Sequence, residues 1–263
     1  MTNIAAVSPA RPIALVTGAS SGIGLEFARA LAARGYDLIV TARRGDRLEE
    51  LAASLRSAHA GIRVEVVAAD LTDGAAPAQI AGTAARLGMG VELLVNNAGF
   101  GTHGHFESLS PEHENDEITV NVAALVALTH AFLPGMLERG RGGVINVAST
   151  AAFQPVPYMS VYGATKAFVR SFSEALHEEV HARGVRVLAL CPGPTSTEFF
   201  GTAVAAAPGP MRTVRDVVAT ALVALDAGRP VAIDGISNQL LIALEHLIPR
   251  RWATKIAGRI MRP

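Results

Sequence analysis

The chain has 263 residues, of which 50% are hydrophobic and 17% are charged, and its 23 basic residues balance its 23 acidic ones. This length can bury a full core, and the composition excludes a disordered chain. Because the formal net charge is zero, the overall charge does not favour nucleic acid, and we expect no nucleic-acid partner.

Short apolar runs alternate with longer amphipathic stretches along the chain. The runs predict strands over residues 13–17, 37–41, 63–68, 91–95, 143–148, 185–190 and 230–233. The stretches predict helices over residues 23–34, 44–59, 73–87, 111–138, 158–183 and 213–227. Residues 118–137 lack charged side chains but include Asn121, His130 and Pro134, so we interpret them as a buried helix and not as a membrane span.

Strands that are apolar throughout and separated by helices are typical of a parallel sheet covered on both faces. The alternation therefore predicts a Rossmann-like, doubly wound α/β fold of about seven parallel strands with helices on both faces. We find no linker and no internal repeat. We therefore expect a single domain over residues 1–263, in which residues 236–263 form a helical C-terminal extension.

A glycine-rich turn, Thr-Gly-Ala-Ser-Ser-Gly-Ile-Gly at residues 17–24, joins the first predicted strand to the first helix. Glycines let the backbone approach a pyrophosphate, and the following helix offers free N–H groups at the positive end of its dipole. This position favours a dinucleotide site over an ordinary turn. The predicted cofactor-binding residues of the turn are Gly18, Ser20, Ser21, Gly22, Ile23 and Gly24.

The end of the second predicted strand indicates which dinucleotide is bound. Sites for NAD carry an acidic residue there for the ribose 2′-hydroxyl, whereas this chain has Arg43 and Arg44. Asp46 follows, and we assign it to the start of the next helix. Two guanidinium groups suit a 2′-phosphate, so we expect NADP(H) in preference to NAD(H).

Tyr162 and Lys166 lie four residues apart on one face of a predicted helix. A phenol is a weak base at neutral pH, and a neighbouring ammonium lowers its pKa. Ser149, just past the fifth strand, can hold a carbonyl oxygen and stabilise the charge that develops on it. These three side chains predict acid/base chemistry at a carbonyl or an alcohol.

With these motifs, residues 12–199 resemble the short-chain dehydrogenase/reductase family in its short, single-domain form. The resemblance depends on the glycine-rich turn, Asp70, Asn96-Asn97-Ala98-Gly99, Asn121, Ser149, Tyr162-x-x-x-Lys166 and Pro192-Gly193. It implies an oxidoreductase whose catalytic residues are Asn121, Ser149, Tyr162 and Lys166. Tyr162 would be the general acid or base, Lys166 would also bind the nicotinamide ribose, and Asn121 would support a water-linked proton relay.

The resemblance also implies further cofactor contacts. Asp70 and Leu71 would meet the adenine, and Asn97, Ala98 and Gly99 would line the cofactor floor. Pro192, Gly193, Thr195 and Thr197 would contact the nicotinamide and the phosphates. Alternatives remain: Asn121 can satisfy backbone groups, Asn97 can stabilise the sheet, and Asp70 can cap a helix.

For the substrate, we expect a mostly apolar pocket, and thus an apolar carbonyl or alcohol. Its predicted lining is Phe100, Gly101, Phe153, Gln154, Pro155, Tyr158 and a lid over residues 195–210. His103 and His105 lie in a loop at the mouth, which we interpret as solvated in preference to a substrate contact. The alternative to an enzyme is an NADP-binding sensor or scaffold without turnover, which would need no serine–tyrosine pair.

Assembly and location are also expectations. Family resemblance implies a homodimer or homotetramer packed through helices 111–138 and 158–183. The stripe Leu125, Leu128, Phe132 is compatible with that, although core packing would give the same pattern. The C-terminal basic residues are Arg250, Arg251, Lys255, Arg259 and Arg262. We interpret them as a solvated face or an oligomer contact in preference to a peripheral membrane helix.

The only cysteine, Cys191, excludes an intrachain disulfide, and no Cys/His cluster has zinc spacing. We therefore expect no metal site, and we interpret Cys191 as core filler. A single cysteine is compatible with a reducing compartment, and residues 1–12 lack the apolar core of a signal peptide. The expected location is cytoplasmic.

Overall fold

A seven-stranded parallel sheet forms the centre of the molecule, whose structure is a computed structural model describing residues 11–198, 211–245 and 247–263. The strands are β1 (Ile13–Thr17), β2 (Asp37–Ala42), β3 (Val64–Ala68), β4 (Val91–Asn96), β5 (Gly142–Val147), β6 (Val185–Cys191) and β7 (Val231–Ile233). Their order is β3-β2-β1-β4-β5-β6-β7, and every neighbouring pair is parallel. The predicted doubly wound fold is confirmed.

Helices cover both faces of this sheet. They are α1 (Gly22–Ala33), α2 (Gly45–Ala58), α3 (Ala76–Arg86), α4 (Pro111–Ile118), α5 (Leu125–Glu138), α6 (Ser160–Val180), α7 (Val214–Asp226), α8 (Ile236–Glu245) and α9 (Arg250–Ile260). A π-helical turn, Thr119–Ala124, joins α4 to α5. α6 begins two residues later than predicted, since Tyr158 adopts a φ of 65°, outside helical backbone.

The two faces of the sheet have separate cores. Phe27 of α1 and Leu222 of α7 pack in the core of one face, and Leu128 of α5 packs in that of the other. Leu125 and Leu128 are buried, and Phe132 packs against the same core. The stripe is therefore mainly core packing, which is the alternative that the sequence left open, and the oligomeric state stays a prediction.

The helical stretch Pro111–Glu138 is long and apolar enough to cross a membrane by length and composition alone. In the fold, α5 packs against α3, β4 and β5, while α4 packs against α6. The core helix of a soluble protein satisfies the same criterion of length and composition. These contacts with the sheet and with neighbouring helices are those of a core helix.

The strand order places a crevice at the carboxyl edge of the sheet. β1 is followed by β2 and β3 on one side, while β4 to β7 extend on the other. At such a switch point the connections leave β1 and β4 in opposite directions, and ligands of doubly wound proteins bind in the gap. The predicted cofactor turn and Asn97 both follow strands that end at this point.

Candidate active site

A cleft of about 820 Å³ opens at this carboxyl edge, within the size range of small-molecule sites. It gathers most of the predicted cofactor residues into one wall. Those that line it are Gly18, Ser20, Ser21, Gly22, Ile23, Arg43, Arg44, Asp70, Leu71, Asn97, Ala98, Gly99, Tyr162, Lys166, Pro192, Gly193, Thr195 and Thr197, together with Ser149. Two predicted residues, Gly24 and Asn121, lie behind the lining and support it.

Hydrogen bonds across the switch point hold the glycine-rich turn. The Thr17 hydroxyl accepts from the backbone N–H groups of Asn97 and Ala98, both at 2.9 Å. The Asn97 side chain donates to the Thr17 carbonyl at 2.8 Å. Asn97 therefore joins β1 to β4, which agrees with the sheet-stabilising alternative, while it also lines the cleft.

Two glycines of the turn have no room for a side chain. Gly18 has a φ of 67°, and a Cβ there would lie 2.7 Å from the Asn97 Nδ2 atom. A Cβ on Gly24 would overlap the Gly18 carbonyl. The turn is thus a bare backbone cradle at the N-terminus of α1, which fits the pyrophosphate of a dinucleotide.

The two arginines after β2 differ in their contacts. Arg44 donates to the hydroxyls of Ser20, at 3.1 Å, and Ser21, at 2.8 Å, so its guanidinium lies against the turn, whereas Arg43 is an exposed residue on the cleft lining. The Glu198 carboxylate pairs with Arg44 at 2.9 Å and with Arg47 at 2.8 Å. These hydrogen bonds lower the Glu198 pKa to about 2.

Tyr162 and Ser149 meet at the base of the cleft. Their side chains share a hydrogen bond, and burial raises the Tyr162 pKa to about 12, with the Glu117 charge adding to the rise. The Lys166 Nζ lies 5.7 Å from the centroid of the Tyr162 ring, and a lowering of the Tyr162 pKa by this ammonium stays a prediction. Tyr162 therefore holds its proton at neutral pH, as a general acid must.

Lys166 is buried beside this pair. Its Nζ donates to the Val147 carbonyl at 2.8 Å. Burial lowers its pKa to about 8, while the Glu117 carboxylate opposes that fall. A Cβ on Gly99 would lie 3.3 Å from the Lys166 Nζ, which shows how closely the loop after β4 approaches the ammonium.

Glu117 is a buried carboxylate that the sequence reasoning missed. One of its oxygens accepts from the backbone N–H and the hydroxyl of Thr102, both at 2.9 Å. Among the described residues its other oxygen has no hydrogen-bond partner. Burial raises the Glu117 pKa, and the Lys166 charge opposes the rise. Glu117 thus acts electrostatically on both Tyr162 and Lys166.

Asn121 lies inside the π-helical turn, a feature often found at functional sites. Its amide donates to the Phe100 carbonyl at 2.9 Å and to the Thr165 hydroxyl at 3.1 Å. Its oxygen accepts from the Phe100 N–H at 3.1 Å. The side chain satisfies backbone groups, as the alternative held, and fixes the loop that passes over Lys166.

The remaining predicted contacts lie at the two ends of the cleft. Asp70 accepts from the Thr72 N–H at 3.0 Å, and Ala75 takes the N-cap position of α3, so the interpretation of Asp70 as a helix cap is wrong. The Thr195 hydroxyl donates to the Gly193 carbonyl at 2.9 Å. Residues 199–210, most of the predicted lid, lie outside the described residues.

The predicted substrate pocket is only partly correct. Phe100 and Gln154 line the cleft, whereas Gly101, Phe153, Pro155 and Tyr158 are absent from its described lining. The Phe153 ring lies 4.0 Å from the Arg170 guanidinium, and the Tyr158 ring packs on His105. Both rings are therefore used in packing.

The C-terminal helices supply the apolar part of the lining instead. From α8, α9 and the segments beside them come Leu241, Ile242, Ile248, Ile256, Ile260 and Met261. Several contacts fasten the tail. His103 bonds the Met261 carbonyl at 2.7 Å, and Asn238 packs so closely on Gly193 that a Cβ on that glycine would lie 2.8 Å from the Asn238 Cγ.

The buried thiol beside the site is unreactive. Cys191 packs with Leu125, Ala148 and Val169. Burial raises its pKa to about 12, so the nucleophilic thiolate is not formed at neutral pH. This agrees with the interpretation of Cys191 as core filler.

Sequence comparison assigns the family of this fold and site. Residues 12–207 match the short chain dehydrogenase family. Serine 3-dehydrogenase of Agrobacterium fabrum is 38% identical over 187 residues, which cover 70% of this chain and 72% of that protein. The chain therefore belongs to the short-chain dehydrogenase family and is an oxidoreductase that acts on hydroxyl or carbonyl groups with a nicotinamide dinucleotide.

Solved structures of similar fold agree. A short-chain dehydrogenase from Sphingobium yanoikuyae in complex with NADPH is 37% identical with a TM-score of 0.80, covering 90% of this chain and 94% of its own. The bulky-bulky ketone specific alcohol dehydrogenase from Comamonas testosteroni is 33% identical with a TM-score of 0.76, covering 90% of this chain and 93% of its own.

Proposed function

We propose that this protein is an NADP(H)-dependent reductase of apolar carbonyl compounds, which also oxidises the corresponding alcohols. The observation that carries the proposal is the Ser149–Tyr162 hydrogen bond beside buried Lys166, at the base of a cleft with a glycine-rich cradle. A sensor or scaffold for NADP needs the cradle but not this buried polar group.

The residues present fit a dinucleotide. The side-chain-free surface at Gly18 and Gly24 suits a pyrophosphate, and Arg44 lies beside Ser20 and Ser21, where a 2′-phosphate would meet its guanidinium. Lys166 would hold the nicotinamide ribose. When bound, the reduced dinucleotide supplies the hydride for the reaction.

The chain's own groups supply the rest of the chemistry. Ser149 and Tyr162 would both hydrogen-bond the substrate oxygen, and Tyr162 would give it a proton as the carbonyl becomes an alcohol. The Lys166 ammonium would stabilise the negative charge left on the phenol oxygen. Asn121 would keep the loop after β4 in place around Lys166. From Lys166, a water-linked relay could return the proton to Tyr162.

The apolar substrate class is supported by the outer lining. Leu241, Ile256 and Ile260 face the same cleft as Tyr162, and such side chains bind a substrate by removing its apolar surface from water. The similarity to an enzyme described as specific for bulky-bulky ketones also supports an apolar substrate.

Nucleotide titration followed by turnover tests the proposal. NADPH and NADH are titrated into the wild type, Arg44→Ala and Arg43→Ala, and binding is followed by nicotinamide fluorescence. Ketones and aldehydes of increasing apolar size are then assayed for turnover. We expect tighter NADPH binding, a preference lost in Arg44→Ala, and reduction of the larger ketones. NADPH binding without turnover on any carbonyl would favour the sensor or scaffold.

For assembly, we propose a homodimer or homotetramer that packs through α4, α5 and α6. Two exposed apolar side chains on these helices, Ile118 and Phe168, support this, and Phe168 stacks on Phe172 at 5.9 Å between ring centroids. Sedimentation velocity of Phe168→Glu tests it, because a charge at such a contact would shift the protein to the monomer.

A further inference from the structure

The outer side of the C-terminal helices carries a row of apolar side chains that the fold leaves in solvent. We define the outer stripe as Ile236, Leu240, Leu244, Leu247 and Trp252, which are 75%, 61%, 58%, 80% and 51% exposed. The first three are spaced four residues apart on α8, so they share one face. None of the five lines the cleft, so substrate binding does not explain them.

Some exposed apolar residues of the described chain, such as Leu87, Phe106 and Val223, are far apart in the sequence, and single exposed apolar residues are normal. The stripe differs from these, because the C-terminal segment that carries it also exposes Leu241, Ile248, Ile256 and Ile260. Five large ones within a short segment form a patch, and exposed patches mark sites of interaction with proteins or membranes.

The charge beside the stripe is mainly positive. Five basic residues lie close to Trp252 in the sequence or follow it, all of them exposed: Arg250, Arg251, Lys255, Arg259 and Arg262. Residues 236–263 contain one acidic residue, Glu245, against these five. The rest of the chain has 18 basic and 22 acidic residues, by subtraction of this segment from the totals of 23 and 23. The positive charge is thus concentrated at the apolar patch.

We propose that the outer face of α8 and α9 docks on the surface of a bilayer that contains anionic phospholipids. An interfacial helix combines an apolar face with arginine and lysine, and anionic headgroups attract those cations. Trp252 suits the boundary between headgroups and acyl chains, because its indole ring is apolar and carries one polar N–H. The Arg251 and Lys255 cations lie 6.0 and 5.3 Å from its ring centroid, so the ring and the headgroup-binding charges act at one place.

A second copy of the chain fits this face less well than lipid does. In a two-fold contact the same patch meets itself, so the five cations would face five cations with one acidic residue on each side. Like charges brought together out of water repel strongly. An anionic bilayer covers the apolar stripe and neutralises the cations at once.

Docking in this way would bring the mouth of the cleft to the bilayer. Leu241 of α8 lines the cleft, and so do Ile256 and Ile260 of α9, which share a helix face with Trp252 because the three are spaced four residues apart. An apolar compound dissolved in the bilayer would then enter across an apolar surface. The docking itself does not depend on the proposed reaction.

Vesicle binding of the full chain tests the proposal, and the chain has a built-in probe because Trp252 is its only tryptophan. We would add vesicles of phosphatidylcholine alone, and of phosphatidylcholine with phosphatidylglycerol, and measure co-sedimentation and tryptophan emission. We expect binding to the anionic vesicles only, a blue shift of the emission, and at least a tenfold loss of binding in Leu240→Ser/Leu244→Ser and at high salt.

The control is Val223→Ser, which removes an apolar side chain that is 64% exposed on α7 and should bind as the wild type does. NADPH titration of every variant shows that it has folded. The proposal is overturned if the protein binds neither kind of vesicle or binds both equally. It is also overturned if sedimentation velocity shows a dimer that Leu240→Ser/Leu244→Ser converts to a monomer, and if the Trp252 emission of that dimer is already blue-shifted without lipid.

Discussion

Two regions line the same cleft with different kinds of side chain. The turn after β1 is held by hydrogen bonds from Thr17 and Asn97 at 2.8 to 2.9 Å. The C-terminal helices present Leu241, Ile256 and Ile260, which are all more than 45% exposed. We therefore expect the polar wall to tolerate little change, because its contacts are short and directional, and the apolar wall to act on substrate preference through its buried area.

The largest effect should come from one hydroxyl group of the polar wall. Tyr162→Phe removes the proton donor, so turnover should fall by about 10²- to 10⁴-fold, while NADPH still binds. Steady-state reduction of a bulky ketone measures it. Tyr158→Phe is the matched control, since the Tyr158 ring packs on His105 away from the cleft lining. Equal losses in both variants would show that Tyr162 has no special role.

The next effect is on the backbone cradle. Gly24→Ala places a Cβ against the Gly18 carbonyl, and overpacking of this kind costs about 1–3 kcal/mol. Denaturant unfolding should show that loss, together with weaker NADPH binding. Gly74→Ala is the control, because a Cβ there meets nothing within 4 Å. If Gly24→Ala leaves both the free energy of unfolding and NADPH binding unchanged, the turn can accommodate a side chain at residue 24.

In the apolar wall, Leu241→Asn should raise KM for a bulky ketone by about tenfold, the equivalent of about 1.4 kcal/mol of lost apolar contact. The kcat should change little, since the Leu241 side chain has no group that could take part in the proton transfer. The ratio of KM values for a bulky ketone and a small aldehyde measures this. Val223→Asn, outside the cleft, should leave the ratio alone. A fall in kcat without a change in KM would contradict the division between the two walls.

The smallest effect is a shift in pH dependence. Lys166 has a pKa of about 8, and the Glu117 charge raises it. The ammonium is present below that pH, so reduction should decline as pH rises through about 8. Glu117→Gln removes the supporting charge, and the decline should then begin at lower pH. Profiles of kcat against pH measure it, with Glu114→Gln as the control of a second buried glutamate. If the activity of Glu117→Gln declines at the same pH as that of the wild type, Glu117 does not raise the Lys166 pKa.

The two walls also differ in how far the sequence predicts them. Gly18, Gly24, Tyr162 and Lys166 are found from spacing, because local geometry fixes which of them share a turn or a helix face. Each predicted strand agrees with the structure to within one residue at either end, since an apolar run leaves few ways to be buried.

Contacts between distant parts of the chain had no comparable signal. Arg44 meets Glu198 across 154 residues, and Asn238 packs on Gly193 only because the tail returns over the cleft. Pocket residues chosen by nearness in sequence, such as Phe153 and Tyr158, were wrong because their rings are used in local packing.

The most direct test of the central claim follows the hydride itself. NADPH carrying deuterium at the reactive carbon of the nicotinamide is mixed with the protein and a bulky ketone, and the product is analysed by mass spectrometry. We expect an alcohol with one deuterium on the former carbonyl carbon from the wild type, and almost none from Tyr162→Phe. Tight NADPH binding with no deuterated alcohol from the wild type, across ketones and aldehydes of all sizes, would contradict the assignment as a carbonyl reductase.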